Sequence, residues 1–375
     1  MTKQKQPTVS TNNNHHDITL PGKGDLTEII KATGEKPAMR GFDPQFQDIV
    51  DYIVKITHEI WEERGIGRLY EYYGTNMVIH TTNGEIFGRE TVIEGSIQAM
   101  AAYPDRRLYA EEVIWTGNDD VGYFSSHRLR HEGTNWGHTE FGDPTGQRVS
   151  YRAVADCKVI EGVIVEEWLT RDNLTQIVQL GFDPHQLARA AAHAEADMRS
   201  QFSVPSEADR LRGQLQPSDV APWGSKDFNI GAFVHNAIHE VWNWRLLNKV
   251  RDYYADNYIC ESASNRRFYG QNQFINYILQ FMSAFPDLAV HVDHFCALQE
   301  SENSYRTATR WIMQGTHKGP GIYGKPTGNK IRLMGMTHQI IRDGKFVQEW
   351  TVFDEFELLK QIYAGSSSIY NDAPF

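Results

Sequence analysis

The sequence predicts an α+β chain of two tandem units, each a curved, mostly antiparallel sheet wrapped around helices. Two observations predict it: an internal repeat, and a change inside each copy from helical to strand periodicity. His58-Glu59-Ile60-Trp61 aligns with His239-Glu240-Val241-Trp242, Tyr72-Tyr73 with Tyr253-Tyr254, and Asn76 with Asn257, all 181 residues apart. One inserted residue later the spacing is 182, and Ala102-Tyr103-Pro104-Asp105 faces Ala284-Phe285-Pro286-Asp287. Between Gly122–Asp172 and Ser304–Asp354, 14 of 51 positions are identical. Average residue usage gives about three by chance. The chain is a duplication.

The elements repeat with it. Ile49, Ile53, Ile56 and Ile60 recur at helical spacing, as do Ile230, Val234, Ala237 and Val241, so each copy opens with an amphipathic helix. A short helix over Leu69–Tyr73 (Val250–Tyr254) and a strand over Met77–His80 (Tyr258–Glu261) follow. The next helix, Glu90–Ala102 (Gln271–Ala284), is stopped by Pro104 and Pro286. Four alternating segments with glycine-rich turns complete the copy. The last two are joined by Glu161-Gly162 and Asp343-Gly344, and Asp-Gly is a strong two-residue hairpin signal. Helices followed by a meander define an α+β layout.

Residues 1–40 read as a polar tail with one short helical patch near Asp25–Lys31, 41–182 as the first unit, and 227–375 as the second. Residues 183–226 read as a linker whose Ala-rich stretch Gln186–Arg199 is helical and whose remainder is irregular. The tail and linker either stand idle or strap the units together. Among 375 residues the formal charge is −11, which argues against a nucleic-acid partner. No stretch of 18 apolar residues occurs and the first residues lack an apolar signal core, so neither membrane insertion nor export is expected. Cys157, Cys260 and Cys296 are odd in number and form no CxxC pair, which fits reduced thiols in the cytoplasm. His15-His16 sits in the polar tail and reads as solvated.

The most informative run is Arg310-Trp311-Ile312-Met313-Gln314-Gly315-Thr316-His317-Lys318-Gly319, then Gly324-Lys325-Pro326-Thr327-Gly328, His338, Glu349-Trp350, Asp354 and Gln361. The first copy keeps Arg128, Gly133-Thr134, Gly142-Asp143-Pro144-Thr145-Gly146, Asp156, Glu167-Trp168, Asp172 and Gln179-Leu180-Gly181. Over roughly 46–182 and 228–364 the chain resembles the SnoaL-like polyketide cyclase family of the nuclear transport factor 2-like superfamily. That resemblance implies cone-shaped domains, each with a pocket for a small organic substrate, one acid/base residue and no cofactor. It also implies cyclase, isomerase or dehydratase chemistry. The alternative is a non-catalytic binding or dimerisation module, since one fold hosts many functions. Units of this superfamily pair through the outer sheet face, so pairing within the chain and a possible homodimer are expected.

The family's proton carrier is an Asp on a late strand, and the matching residue is Asp156, with His338 in the second copy. A carboxyl in an apolar cavity loses hydration and its pKa rises, which suits a base that becomes an acid. A structural ion pair of Asp156 with Arg128 or Arg152 is the competing reading. Substrate-binding candidates are His80, with Glu261 in the second copy, together with Arg128, Arg310, His138, His317 and Trp168. His317 fits the family's Gly-Thr-His-x-Gly, whereas the first copy has Asn135 there. Trp168 with Asp172 and Trp350 with Asp354 also read as architectural, each Asp capping the following helix. No metal site is expected: His291 and Asp293 share one strand face and His294 takes the other. No nucleotide-binding glycine motif and no GxSxG elbow occur.

Overall fold

The computed structural model describes residues 39–195 and 219–364. The helical patch at Asp25–Lys31, the His15-His16 pair, most of the tail, linker residues 196–218 and residues 365–375 lie outside the described residues.

Helix α1 (Ile49–Thr57) starts where the Asp48 side chain accepts from the Asp51 amide, and it widens into a π turn over His58–Glu62. The short α2 (Leu69–Tyr72) leads into β1 (Tyr73–Thr81) and β2 (Gly84–Phe87). Helix α3 (Arg89–Ala102) precedes the long strands β3 (Arg107–Asn118), β4 (Gly122–Thr134), β5 (Arg148–Ile160) and β6 (Val163–Arg171). Helix α4 (Asn173–Gln179) closes the unit and α5 (Pro184–Ala194) leaves it.

The second unit repeats this order. It has α6 (Ile230–Ile238) with its π turn, α7 (Val250–Tyr253), β7 (Tyr254–Ser262), β8 (Arg266–Tyr269) and α8 (Gly270–Ala284). Then come β9 (Ala289–Ser301), β10 (Ser304–Thr316), β11 (Lys330–Arg342), β12 (Lys345–Phe353) and α9 (Glu355–Tyr363).

The sheets run β2-β1-β6-β5-β4-β3 and β8-β7-β12-β11-β10-β9, with β1·β6 and β12·β7 parallel and the other pairs antiparallel. Edge strands β2 and β8 are two elements the periodicity did not reveal; each spans four residues. Both two-residue turns carry positive φ at both positions, Glu161 at 49° and Gly162 at 78°, Asp343 at 48° and Gly344 at 73°. That is the primed turn whose twist matches the strands it joins. Asp172 and Asp354 cap α4 and α9, accepting from the Thr175 and Glu357 amides at 3.2 and 3.1 Å.

Strand alternation decides what each cone contains. On β5, Ala155, Cys157 and Val159 face the helices of the first cone and pack with Tyr52, Tyr73 and Ile164. Val154, Asp156 and Lys158 point to the other side. That outer face is covered as well: Val154 packs with Met334, Met336 and Val352 of the second sheet. Helix α5 also reaches the second unit, where His185 meets the Tyr363 hydroxyl at 2.7 Å and Glu195 pairs with Lys360 at 2.7 Å. Among the described residues no helix is long and apolar enough to cross a membrane.

Candidate active site

The outer faces of the sheets meet in an approximate two-fold arrangement. The Arg128 guanidinium lies 3.8 Å from the Trp350 ring centre, and its repeat partner Arg310 lies 3.7 Å from Trp168. Each arginine therefore stacks on the tryptophan of the other copy. Such cation–π contacts contribute more once desolvated, on the order of 2 kcal/mol.

The expected proton carriers sit in this seam. Asp156 accepts from Arg310 Nη1 at 3.1 Å. His338 Nε2 meets Ser126 Oγ at 2.8 Å and Nδ1 meets Glu112 at 3.2 Å. Glu112 is buried, yet Arg128, His338 and Arg306 outweigh that burial and pull its carboxyl down to about 2. Burial pushes the His338 imidazole below its ordinary value against the pull of Glu112.

Asp156 and His338 thus face the partner sheet and not the cones. The physical reason is register: Asp156 stands one residue from the inward positions Ala155 and Cys157, and successive strand side chains take opposite faces. Neither Arg128 nor Arg152 pairs with Asp156; the cation is Arg310, 154 residues away.

The other candidates are also placed outside the cones. His80 stacks on Trp168 with ring centres 5.0 Å apart and meets Glu166 at 2.9 Å. Glu261 pairs with Arg152 across the seam at 2.7 Å and with Arg267 at 2.9 Å. His138 is exposed beside Asp143. His317 fastens a loop, its Nδ1 3.2 Å from Thr327 Oγ1. Asn135 does the same in the first copy, where its Oδ1 accepts from the Thr145 amide at 2.8 Å. The His/Asn difference is one loop fastening made with two chemistries.

What the cones do hold is a carboxyl in each that sequence reasoning passed over, Glu167 and Glu349. The signal was present: Glu-Trp recurs in both copies, and alternation puts Glu on the face opposite Trp. Glu167 stands opposite Cys157 and accepts from the Tyr73 hydroxyl at 3.1 Å. Burial pushes its carboxyl up to about 7, against the Tyr73 hydrogen bond and the Arg171 charge. Glu349 accepts from Gln339 Nε2 at 3.1 Å and from Thr351 Oγ1 at 2.8 Å, with the Cys260 thiol 3.9 Å away. Burial raises its carboxyl too, partly offset by these donors.

Glu349 borders a cavity of about 60 Å³. Its walls are mostly aromatic and aliphatic, with Phe274, Phe281, Trp311, Met313 and Phe353 among them, while Gln339, Thr337, Thr351 and Glu349 form one polar patch. An apolar chamber with few convergent polar groups is the usual form of a small-molecule site.

The two six-stranded sheets, each curled on its own helices, define a tandem pair of nuclear transport factor 2-like cones. The profile of the SnoaL-like polyketide cyclases matches residues 52–180 and 232–362, and the chain belongs to that family. Similar solved structures include AclR from Streptomyces galilaeus, with 19% identity over 36% of this chain and 98% of that one, and a TM-score of 0.31. IdmH from Streptomyces antibioticus has 20% identity over 35% and 96%, with a TM-score of 0.30. TsrD from Streptomyces laurentii has 16% identity over 35% and 94%, with a TM-score of 0.32. No curated protein matches the chain.

Proposed function

We propose that the chain is an acid–base enzyme of the cyclase or isomerase type, which moves a proton on a small enolisable substrate in the second cone with Glu349 as the carrier. The observation that carries this reading is a buried carboxyl with a raised pKa, oriented by Gln339 and Thr351, at the polar edge of an apolar cavity. Lost hydration weakens the carboxylate's preference for the charged form. The same group can then take a proton from carbon and return it to oxygen or to another carbon. Gln339 and Thr351 hold the carboxylate by donated hydrogen bonds, which fixes its aim without neutralising it. The aromatic walls would exclude water from the enolate and select a flat, apolar body.

The test is hydrogen–deuterium exchange of α-tetralone followed by NMR in deuterated buffer. Wild type should accelerate exchange over buffer, and Glu349→Gln, which keeps shape and removes the acceptor, should cut the catalysed rate roughly 10²–10⁴-fold. Asp156→Asn should keep the rate per folded molecule within severalfold, because its carboxylate lies in the seam. Exchange unchanged by Glu349→Gln, or no acceleration by wild type, sinks the assignment.

A further inference from the structure

The first cone departs from the second where the second has its cavity. Met313, Leu333 and Phe353, which line that cavity, correspond at the 182-residue spacing to His131, Tyr151 and Arg171. Leu288 corresponds to Arg106. An apolar wall has been exchanged for one bearing two guanidinium groups. His131 and Tyr151 are register partners stacked with ring centres 5.0 Å apart, and Arg106 Nη2 meets His131 Nδ1 at 3.1 Å. Arg171 is opposite Ala153, on the face that carries Leu169 and Glu167.

Neither arginine is in contact with a carboxylate: Glu167 acts on Arg171, and Glu62 on Arg106, only from beyond salt-bridge distance. Among the described residues Arg171 has no ion pair or hydrogen bond from its side chain, and Arg106 has only His131. The chain carries 48 acidic side chains against 37 basic ones, so a shortage of carboxylates does not explain it. The buried arginines of the seam each contact a carboxylate, whereas Arg106 and Arg171, partly buried on the inner wall, do not. The inner wall has further unused polar atoms: Ser125 Oγ and His127 Nε2, on residues only 2% exposed, have no hydrogen-bond partner. Beside them Leu108, Leu129 and Ala153 form a small apolar cluster edged by Trp61. The opposite wall is reduced, with Gly95 and Ala99 where the second cone has Tyr277 and Phe281. Gly95 is exposed, and a Cβ added there would meet nothing within 4 Å.

We propose that the first cone binds a small aromatic carboxylate, its anion held by Arg106 and Arg171 and its ring lying on the Leu108, Leu129 and Trp61 surface. A guanidinium fork matches a carboxylate in a planar, two-bond geometry, and Arg171 has its whole fork free. This binding is independent of where turnover takes place: the Arg171 site belongs to one cone and Glu349 to the other.

Benzoate, its neutral isostere benzamide, and inorganic phosphate are titrated into the full chain by calorimetry near pH 7. Benzoate should bind in the millimolar range or tighter, with benzamide and phosphate at least about tenfold weaker, a difference of about 1.4 kcal/mol. Arg171→Met should weaken benzoate by a similar factor while leaving the melting temperature unchanged or higher, since it breaks no pair. Phe353→Leu, at the matching position of the second cone, should leave benzoate affinity as it was. Equal binding of benzoate and benzamide, phosphate matching benzoate, full affinity in a folded Arg171→Met protein, or no benzoate binding up to about 20 mM would each overturn the proposal.

Discussion

The two cones share a backbone, a carboxyl on the sixth strand of each sheet and a helix through the middle, but their walls have diverged in complementary steps. Leu129 stands opposite Ala153 in the first sheet; the corresponding pair in the second is Trp311 opposite Gly335. The tryptophan ring occupies the space over the glycine: a Cβ there would come 2.2 Å from the indole. The outer faces tell the opposite story. Arg128 and Arg310, Trp168 and Trp350 are unchanged between copies, because each arginine stacks on the other copy's tryptophan and a change in one has to suit its partner. Duplication kept the seam's arginine–tryptophan frame while other seam positions, such as Asp156 against His338, and much of the inner walls diverged.

The largest expected effect tests the seam. Arg128 is buried beside Glu111 and Glu112, whereas Arg310 holds Asp156 and the partly exposed Asp293. Arg128→Met removes the cation shared by two buried carboxylates, leaving Glu111 to Arg130 and Arg152 and Glu112 to Arg306 and His338, and should cost about 3 kcal/mol, on the order of 10 °C in melting temperature. Arg310→Met should cost less. Equal or reversed losses in thermal melts would show that the seam is not organised around the Arg128 side.

A smaller effect separates the carboxyls by pH. The Glu167 pKa is raised in the folded chain to about 7, so the folded state holds the proton more tightly than the unfolded one. Its stabilising contribution is complete below the unfolded value near 4.5 and is lost as pH rises through about 7. The slope is at most about 1.4 kcal/mol per pH unit in that window. Glu167→Gln should flatten this decline in denaturant-melt stability between about pH 4.5 and 7. An unchanged slope would remove Glu167 as the source.

The smallest effect concerns the exchanged wall. Gly335→Ala should overpack against Trp311 and cost about 1–3 kcal/mol. Adding Trp311→Leu recreates the pair of the first cone and should recover part of that loss. A double-mutant cycle with no coupling would show that the two positions do not compensate.

Much of the fold was legible in the sequence. The 181–182 spacing, the Ile49–Ile60 stripe, the stops at Pro104 and Pro286, and the Glu161-Gly162 and Asp343-Gly344 turns depend on local rules, and each stands where periodicity placed it. Strands β2 and β8 were hidden because four residues are too few to show alternation. The candidate site was legible only in part. A strand exposed on one face announces its inside by polar residues outside, but β5 is covered on both faces. Val154 is as buried against Met336 as Val159 is against Tyr52, so the apolar neighbours of Asp156 could not say which way it pointed.

The sequence by itself determined the duplication, the order of elements and the residues kept in both copies, including Glu167 and Glu349. Only the tertiary structure decided what those residues do. Asp156, His338, Arg128 and Arg310 became a seam because the sheets meet face to face, and Asp156 and Arg310, 154 residues apart, are brought to 3.1 Å. Glu167 and Glu349 became the buried carboxyls of two cones because a one-residue step along a strand reverses the face. Whether that face meets a partner sheet or a cavity is set by packing far away in the chain.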